Sequence, residues 1–196
     1  MFRILRSIGI IRTPFKTRNG IPIQPAASNG TKGSIIMKNK YIPALKDLDG
    51  FSHIILIYLF HKSRGYEMQV IPFLDRVKRG LFATRAPRRP NQIGLSVVKL
   101  IRMKDNILEI ENVDMLDGTP LLDIKPYVPK FNAAYNIKTG WLDEEGNEVD
   151  QTVSDKRFVR FHSGKKFPNS GICNFASIFK VLYVSVLFLI LTWNVL

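Results

Sequence analysis

The feature that most constrains this sequence is an almost unbroken apolar run at residues 51–60, FSHIILIYLF, which is rich in β-branched and aromatic side chains. A run of this kind is typical of a strand that is buried on both faces. A buried helix is the alternative, because periodicity does not separate the two in a short apolar segment. We predict that this segment forms a strand in the core of the fold.

Short strand signals surround this run, and most of them end at turn residues. Residues 2–11 favour a strand that stops at Thr13-Pro14. One brief helix is indicated at residues 41–49, where apolar residues recur with helical spacing before Gly50. Many short strands with one or two short helices predict a mostly β fold, either a small barrel or a sandwich. Further strands are predicted at residues 33–38, 81–85, 95–103, 107–113 and 120–127, with a turn at Asp105-Asn106 joining 95–103 and 107–113 into a hairpin.

The positive charge of the chain is concentrated in two blocks. The sequence has 29 Lys and Arg against 16 Asp and Glu, a net charge of +13. Residues 1–46 contain nine basic residues and no acidic one, and residues 76–104 repeat that pattern. The remaining 11 basic and 16 acidic residues sum to −5, so the two blocks carry the whole excess. This segregation predicts a face that binds a polyanion, with solvated surface charge as the alternative.

The cysteine and histidine content argues against a disulfide or a metal site. Cys173 is the single cysteine and cannot form an internal disulfide. His53, His61 and His162 lack the paired spacing of metal ligands, and His53, inside the apolar run, is interpreted as a core histidine. Residues 1–12 do not contain the apolar stretch of a signal peptide. We therefore predict a cytoplasmic protein that uses no metal.

The length of 196 residues suits one domain with an appendage. We assign residues 1–135 to the barrel, 136–166 to a polar extension and 167–196 to a hydrophobic tail. Within the tail, residues 175–196 hold one charge in 22 residues, which is long enough to span a bilayer as a helix. A C-terminal membrane anchor on a cytoplasmic body is one interpretation. An amphipathic or core helix, or an extension unrelated to function, is the other.

Two strings are the most specific motifs in the chain: RAPRRPNQIGLS at residues 85–96 and DGTPLLDIKPY at residues 117–127. Together with segments 8–27 and 48–62, and in this order, they resemble the TsaA-like or TrmO-type family of S-adenosylmethionine-dependent tRNA methyltransferases. The resemblance covers residues 5–130. Longer members of that family carry a C-terminal domain with a DPRPAY-like string that helps to hold tRNA, of which the DKRF segment here is at most a remnant.

This resemblance implies a fold and an activity. The fold is a small single-sheet β-barrel of the TsaA-like type that acts as a homodimer. The activity is methyl transfer from S-adenosylmethionine to the exocyclic nitrogen of the tRNA adenosine next to the anticodon, which already carries a threonylcarbamoyl group. The alternative is a binding module for S-adenosylmethionine or RNA that has lost catalysis, either with or without a tether to a membrane.

The resemblance also implies a set of site residues. Asp114 is suited to accept from the donor's ribose or to face its sulfonium, and Arg85 is suited to pair with its carboxylate. The sequence does not single out a base, and Asp114, His61 and Tyr127 are the candidates. The positions that hold the methyl donor correspond here to Gln24, Pro25, Ala26, His61, Lys62, Arg85, Leu95, Glu111, Asn112, Val113 and Asp114.

Two arginines of the RAPRRPN loop are predicted to contact tRNA. Arg88 and Arg89 lie between two prolines that restrict the backbone, so the loop presents a cationic surface at low entropic cost. We predict that both bind tRNA phosphates. Exposed arginines that only increase solubility are the alternative.

Overall fold

A computed structural model describes residues 4–132, 136–143 and 152–158. All of them belong to one compact unit, Met1–Phe161. The hydrophobic tail at 167–196, with its predicted C-terminal helix and candidate anchor, lies outside the described residues. Within the described ranges, no helix is long and apolar enough to cross a membrane.

The body of the molecule is a closed antiparallel β-barrel of six strands, which confirms the mostly β prediction and selects the barrel over the sandwich. The barrel strands are β1 (Gly9–Arg12), β2 (Lys32–Met37), β3 (His53–Leu59), β6 (Ile93–Lys104), β7 (Ile107–Glu111) and β8 (Thr119–Pro126). Around the barrel they follow the order β1-β2-β7-β6-β3-β8, and β8 pairs with β1 to close it. The predicted hairpin of β6 and β7 is confirmed.

Smaller elements lie outside the barrel sheet. Two strands, β4 (Gln69–Val70) and β5 (Arg79–Gly80), pair with each other, so the described fold has a second small sheet in addition to the single one predicted. One turn of α-helix, α1, spans Pro129–Asn132. In the part of the chain that the structure describes, the helical segments are otherwise 3₁₀ turns, at Pro25–Ser28, Asn39–Leu45, Leu48–Gly50, Leu81–Ala83, Gly140–Asp143 and Lys156–Phe158.

The apolar run forms β3, as predicted, but it is buried mainly on one face. Ile54, Leu56 and Tyr58 are at most 3% exposed, whereas the residues that alternate with them are half-buried. The reason is closure of the barrel, because a barrel strand has one face in the filled interior and one face outside. The predicted strand at residues 2–11 forms only at its end, as β1.

The predicted helix at residues 41–49 is replaced by two short 3₁₀ turns. Pro43 lies inside the first turn and has no backbone N–H to continue an α-helix. Asp47 then separates the two turns with a left-handed φ of 65°. Regular α-helix is therefore interrupted twice within this segment.

The strand predicted at residues 81–85 was wrong, because the segment begins with the 3₁₀ turn Leu81–Ala83. Thr84 closes this turn with two hydrogen bonds to the Leu81 carbonyl, 3.1 Å from its backbone nitrogen and 2.8 Å from its hydroxyl. A threonine hydroxyl that bonds locally competes with strand pairing.

Gly94 in β6 makes room for a buried aromatic ring. It pairs directly with Tyr58 across β3 and β6, and a Cβ atom built on it would lie 2.6 Å from Cζ of Tyr58. The Tyr58 ring is 3% exposed and packs edge-to-face on Phe60, so it has little space to move.

We expect Gly94→Ala to lower the free energy of unfolding by about 1–3 kcal/mol, the usual cost of overpacking. Urea denaturation measures this loss. The matched control is Gly80→Ala, since nothing lies within 4 Å of a Cβ added to Gly80. Equal stability of the two variants would contradict the packing argument.

Candidate functional site

A cavity of about 890 Å³ opens where β3 ends and β6 and β8 begin. These three ends meet because β3 is antiparallel to both of its neighbours. The volume lies within the range of about 300–1,000 Å³ that is usual for small-molecule sites. The lining residues come from within segments 18–24, 58–63, 72–74, 82–89, 93–95, 114–119, 141–142 and 154–158.

A chain of two hydrogen bonds leads from the barrel interior to this cavity. Ser96 Oγ lies 2.6 Å from Asp114 Oδ1, and Tyr58 Oη lies 3.0 Å from Ser96 Oγ. A hydroxyl carries a single proton. Since Ser96 donates its proton to the ionised carboxylate, Tyr58 must donate to Ser96. The direction is therefore fixed from Tyr58 through Ser96 to Asp114.

The burial of this chain shifts the pKa values of both end groups. Burial raises the pKa of Asp114 to about 6, against the Ser96 hydrogen bond and the positive charge of Arg85. Burial and the nearby negative charge of Asp114 raise the pKa of the Tyr58 phenol far above its usual range. The phenol therefore stays protonated and able to donate, while Asp114 is mostly ionised at neutral pH.

Sequence reasoning missed Tyr58 and Ser96. In the sequence, Tyr58 is one residue of the apolar run, and the run does not distinguish it from the other core residues. Ser96 lies on a face of β6 that is otherwise apolar, together with Gly94, Val98 and Leu100, all of them buried. A lone hydroxyl at an inward position of a strand needs a buried partner, and this is the signal that could have identified it.

Arg85 and Gln24 meet at the cavity from two different loops. Arg85 Nη1 donates to Gln24 Oε1 at 2.7 Å, and both residues line the cavity. This bond fixes the amide so that its nitrogen stays available as a donor. An exposed guanidinium, a carboxamide and the Asp114 carboxylate thus belong to one site.

Asn112 supports the loop that carries Gln24. Its backbone is left-handed, with a φ of 68°, and its Oδ1 accepts from Ser28 Oγ at 3.2 Å and from the Gly30 backbone nitrogen at 3.1 Å. These bonds hold the loop after Gln24 against the segment before Asp114. Five predicted donor-binding residues do not belong to the cavity lining: Pro25, Ala26, Glu111, Asn112 and Val113.

His61 lies at the end of β3 with a defined hydrogen-bond partner. Thr119 Oγ1 donates to the Leu116 carbonyl at 2.6 Å, so it can only accept from His61 Nδ1, 3.4 Å away. We infer from this pattern that Nε2 of the neutral ring is unprotonated. Burial and the charge of Lys62 lower the pKa of His61, so the ring is mostly neutral at pH 7. His61, Lys62 and Leu95 all line the cavity.

Tyr127, the third candidate base, is not brought to this cavity. Its backbone nitrogen donates to the His53 carbonyl at the start of β3, whereas His61 follows the end of that strand. Seven strand residues at roughly 3.3 Å each separate the two ends by about 20 Å. Among the candidates, Asp114 and His61 therefore share the site.

The two loop arginines have different surroundings. Arg88 is 5% exposed, and its Nη1 lies 2.5 Å from Glu67 Oε1, so it does not present the free surface charge that the prediction required. Arg89 lines the cavity and is half-buried, with Nη1 donating to the Thr84 carbonyl at 3.0 Å. The arginine positions thus differ in access, although they are adjacent in sequence.

The described parts of the predicted polar extension form one wall of the cavity. Ser154 Oγ accepts from the Ile21 backbone nitrogen at 2.9 Å, and Phe158 packs edge-to-face on Phe73 at 5.1 Å. Trp141 Nε1 donates to the Ala83 carbonyl at 2.9 Å. The family resemblance identified DKRF, residues 155–158, only as at most a remnant of a tRNA-holding string, and no contact with the cavity was predicted for this segment. Its residues nevertheless complete the site.

No group of three or more His, Cys, Asp or Glu residues within the described ranges is placed to hold a metal ion. The polar groups in the described part of the cavity include a carboxylate, a guanidinium, a carboxamide and an imidazole, all of which can bind an organic ligand.

Comparison with known families decides to which family this chain belongs. The family of the tRNA-methyltransferase O N-terminal domain matches residues 10–133, which include all of the barrel strands except Gly9 and most of the cavity lining. The chain belongs to the TrmO family. The resemblance inferred from the two motifs is thereby confirmed, and the TrmO fold accounts for the closed barrel.

Relatives and solved structures agree with this assignment. A probable S-adenosyl-L-methionine-binding protein of Pyrococcus abyssi is 47% identical, over 84% of this chain and 90% of its own length. The human tRNA (adenine(37)-N6)-methyltransferase is 31% identical, over 75% of this chain. The crystal structure of TrmO from Pseudomonas aeruginosa is 36% identical and superposes with a TM-score of 0.60 over 72% of this chain.

These relatives differ in length. The match covers 63% of the Pseudomonas aeruginosa TrmO chain and 36% of the human enzyme, in contrast to 90% of the Pyrococcus abyssi protein. This TrmO-family chain therefore spans under two thirds of the solved structure and about a third of the human protein.

Proposed function

We propose that this protein transfers the methyl group of S-adenosylmethionine to the exocyclic nitrogen of an adenosine in tRNA. The observation that carries the proposal is the convergence of Asp114, Arg85 and Gln24 on one cavity of a TrmO-family barrel. The adenosine next to the anticodon, already carrying a threonylcarbamoyl group, is the substrate that the family resemblance favours. A homodimer is part of the same proposal, and light scattering measures it.

The residues at the cavity fit S-adenosylmethionine. The ligand has a cationic sulfonium, a carboxylate and a ribose diol, and it needs an opposing group for each. Asp114 offers a carboxylate to the diol or the cation, and Arg85 offers a guanidinium to the carboxylate. The backbone groups of the Gln24 loop offer donors and acceptors to the adenine edge. We therefore assign Gln24, His61, Lys62, Arg85, Leu95 and Asp114 to the donor side.

The chemistry places modest demands on the chain. When bound, S-adenosylmethionine supplies a methyl group that is activated by the adjacent positive sulfur. The main tasks of the protein are to align that group with the acceptor nitrogen and to exclude water. The nitrogen loses one proton as its new bond to carbon forms. Nε2 of neutral His61 or the Asp114 carboxylate is suited to receive that proton.

The pKa of Asp114 predicts how donor binding depends on pH. If the ionised carboxylate binds the cationic donor, the Kd is nearly constant above pH 7 and rises about tenfold from pH 7 to pH 5, because a pKa of about 6 lies between. The groups facing Asp114 are Tyr58 from β3, Ser96 from β6 and Arg85 from its loop. Calorimetric titration at several pH values measures the profile.

Protonation of His61 in acid adds positive charge to the cavity and would also weaken binding of the cationic donor. The control is therefore the pH profile of donor binding measured for Asp114→Asn. A flat Asp114→Asn profile assigns the wild-type dependence to Asp114. An Asp114→Asn profile as steep as that of the wild type would contradict the assignment.

The direct test of function uses the full chain, S-adenosylmethionine labelled in its methyl group, and tRNA with and without the threonylcarbamoyl modification. Label transferred only to modified tRNA supports the full proposal. Label transferred to both modified and unmodified tRNA restricts the proposal to adenosine methylation in tRNA. Absence of transfer to either contradicts it.

A binding module without catalysis is the second candidate. It is favoured by the Pyrococcus abyssi relative, which is described as a probable binding protein and matches almost along its whole length. This function predicts measurable donor affinity together with absence of transfer in the same experiment.

A further inference from the structure

Phe82 is the most exposed aromatic side chain in the cavity lining. It is 75% exposed, while Leu81 beside it is 2% exposed and anchors the turn. Single exposed apolar residues are common and carry no conclusion by themselves. The surroundings of Phe82 supply the further observations.

The turn that carries Phe82 is fixed on several sides. The Leu81 backbone nitrogen donates to the Met68 carbonyl at 2.9 Å, and the Trp141 indole nitrogen donates to the Ala83 carbonyl at 2.9 Å. Thr84 closes the turn through the Leu81 carbonyl. The exposed ring is therefore presented on a restrained backbone, which reduces the entropic cost of binding a partner.

A guanidinium accompanies the ring. Arg89 Cζ lies 5.6 Å from the centroid of the Phe82 ring. Arg89 is held by its bonds to the carbonyls of Thr84 and Leu81, so both groups are attached to the same turn. The ring keeps three quarters of its surface accessible despite this contact.

This pair has the chemistry of a nucleotide site. Unpaired bases of RNA stack on aromatic rings and on guanidinium planes, and arginines bind the phosphates beside them. The positive block at residues 76–104, to which Arg85 and Arg89 belong, complements a polyanion. The cavity volume of about 890 Å³ is near the upper limit for one small ligand. It therefore leaves room for a base beside the donor.

We propose that Phe82 is the stacking surface for the acceptor adenine of the RNA and that Arg89 lies beside its phosphate. This inference rests on the proposed methyl transfer, since it assigns the acceptor to the side of the cavity formed by Phe82. The donor then occupies the side formed by Asp114 and Gln24. The occupant is a base of single-stranded RNA.

The test compares Phe82→Ala, Phe82→Tyr and a matched control, Met68→Ala. Met68 is an apolar residue of similar exposure, 70%, and is not part of the cavity lining. Loss of base stacking weakens RNA binding by about 5- to 150-fold. We expect Phe82→Ala to reduce kcat/KM for tRNA by that factor, with the Kd of S-adenosylmethionine unchanged within twofold. Phe82→Tyr and Met68→Ala should stay close to the wild type.

A second measurement keeps this inference separate from the activity. Fluorescence anisotropy of a labelled anticodon stem-loop measures RNA affinity without any methyl transfer, so it reports on Phe82 even if the wild type transfers no label. An unchanged RNA affinity of Phe82→Ala would overturn the proposal. Equal losses of donor and RNA affinity would also overturn it, because they indicate a general change in the cavity. A change of oligomeric mass in Phe82→Ala would assign the ring to a contact between copies instead.

Discussion

Replacing Asp114 with asparagine should weaken binding of S-adenosylmethionine by about 10- to 150-fold. A hydrogen bond to a charged group contributes about 1.5–3 kcal/mol, and each 1.4 kcal/mol is a factor of ten in Kd. Asparagine keeps the size of the side chain but removes the charge that would face the donor's cation or ribose. Calorimetry at pH 8, where Asp114 is ionised, measures the full effect.

The matched control for this substitution is Asp123→Asn. Asp123 is a half-exposed carboxylate that pairs with Lys125 at 2.8 Å and does not line the cavity. We expect its donor affinity to equal that of the wild type. Less than a threefold difference between the two variants would show that Asp114 does not bind the donor.

Replacing Ser96 with alanine should produce the second large effect, in two separate quantities. The free energy of unfolding should fall by about 1–3 kcal/mol, because the buried Tyr58 hydroxyl loses its acceptor. The pKa of Asp114 should rise further, because the hydrogen bond that opposes its increase is removed. Donor binding should then weaken at pH 7 and recover at higher pH.

The comparison variant is Tyr58→Phe, which removes the donor to Ser96 but leaves Ser96 free to donate to Asp114. We expect it to keep the pH midpoint of donor binding close to the wild-type value. A midpoint that does not move in Ser96→Ala would contradict the positioning role of Ser96. If Ser96 has a purely structural role, Ser96→Ala should lower the free energy of unfolding without moving the pH midpoint of donor binding.

The strands were largely predictable because their signals are local. The alternation of inward and outward side chains along β6 and β7, and the turn between these strands, are properties of neighbouring residues. The segment at 81–85 failed because Thr84 bonds within its own turn, and apolar composition does not reveal that bond. Local pattern thus identified most of the barrel but not its closure.

The site was less accessible to sequence reasoning because it is assembled from distant segments. Gln24 and Arg85 were identified through the family resemblance, and no spacing rule connects residues 61 positions apart. The buried Arg88 pairs with Glu67, which lies 21 residues earlier in the sequence. Predicting the hydrogen-bond chain from Tyr58 through Ser96 to Asp114 requires knowledge that β3 pairs with β6. This pairing is a property of the barrel rather than of either strand.

The closing seam of the barrel has a consequence for how the protein is made. Ile11 in β1 pairs with Thr119 in β8, and Ile21 bonds to Ser154, so each of these residues meets its partner only after more than 100 further residues have been synthesised. Pairings this distant slow folding, and a ribosome adds about 5–20 residues per second. The β1 edge therefore stays unpaired on its β8 side for seconds during translation. A nascent chain stalled before residue 119 should remain sensitive to protease and unable to form the ligand cavity.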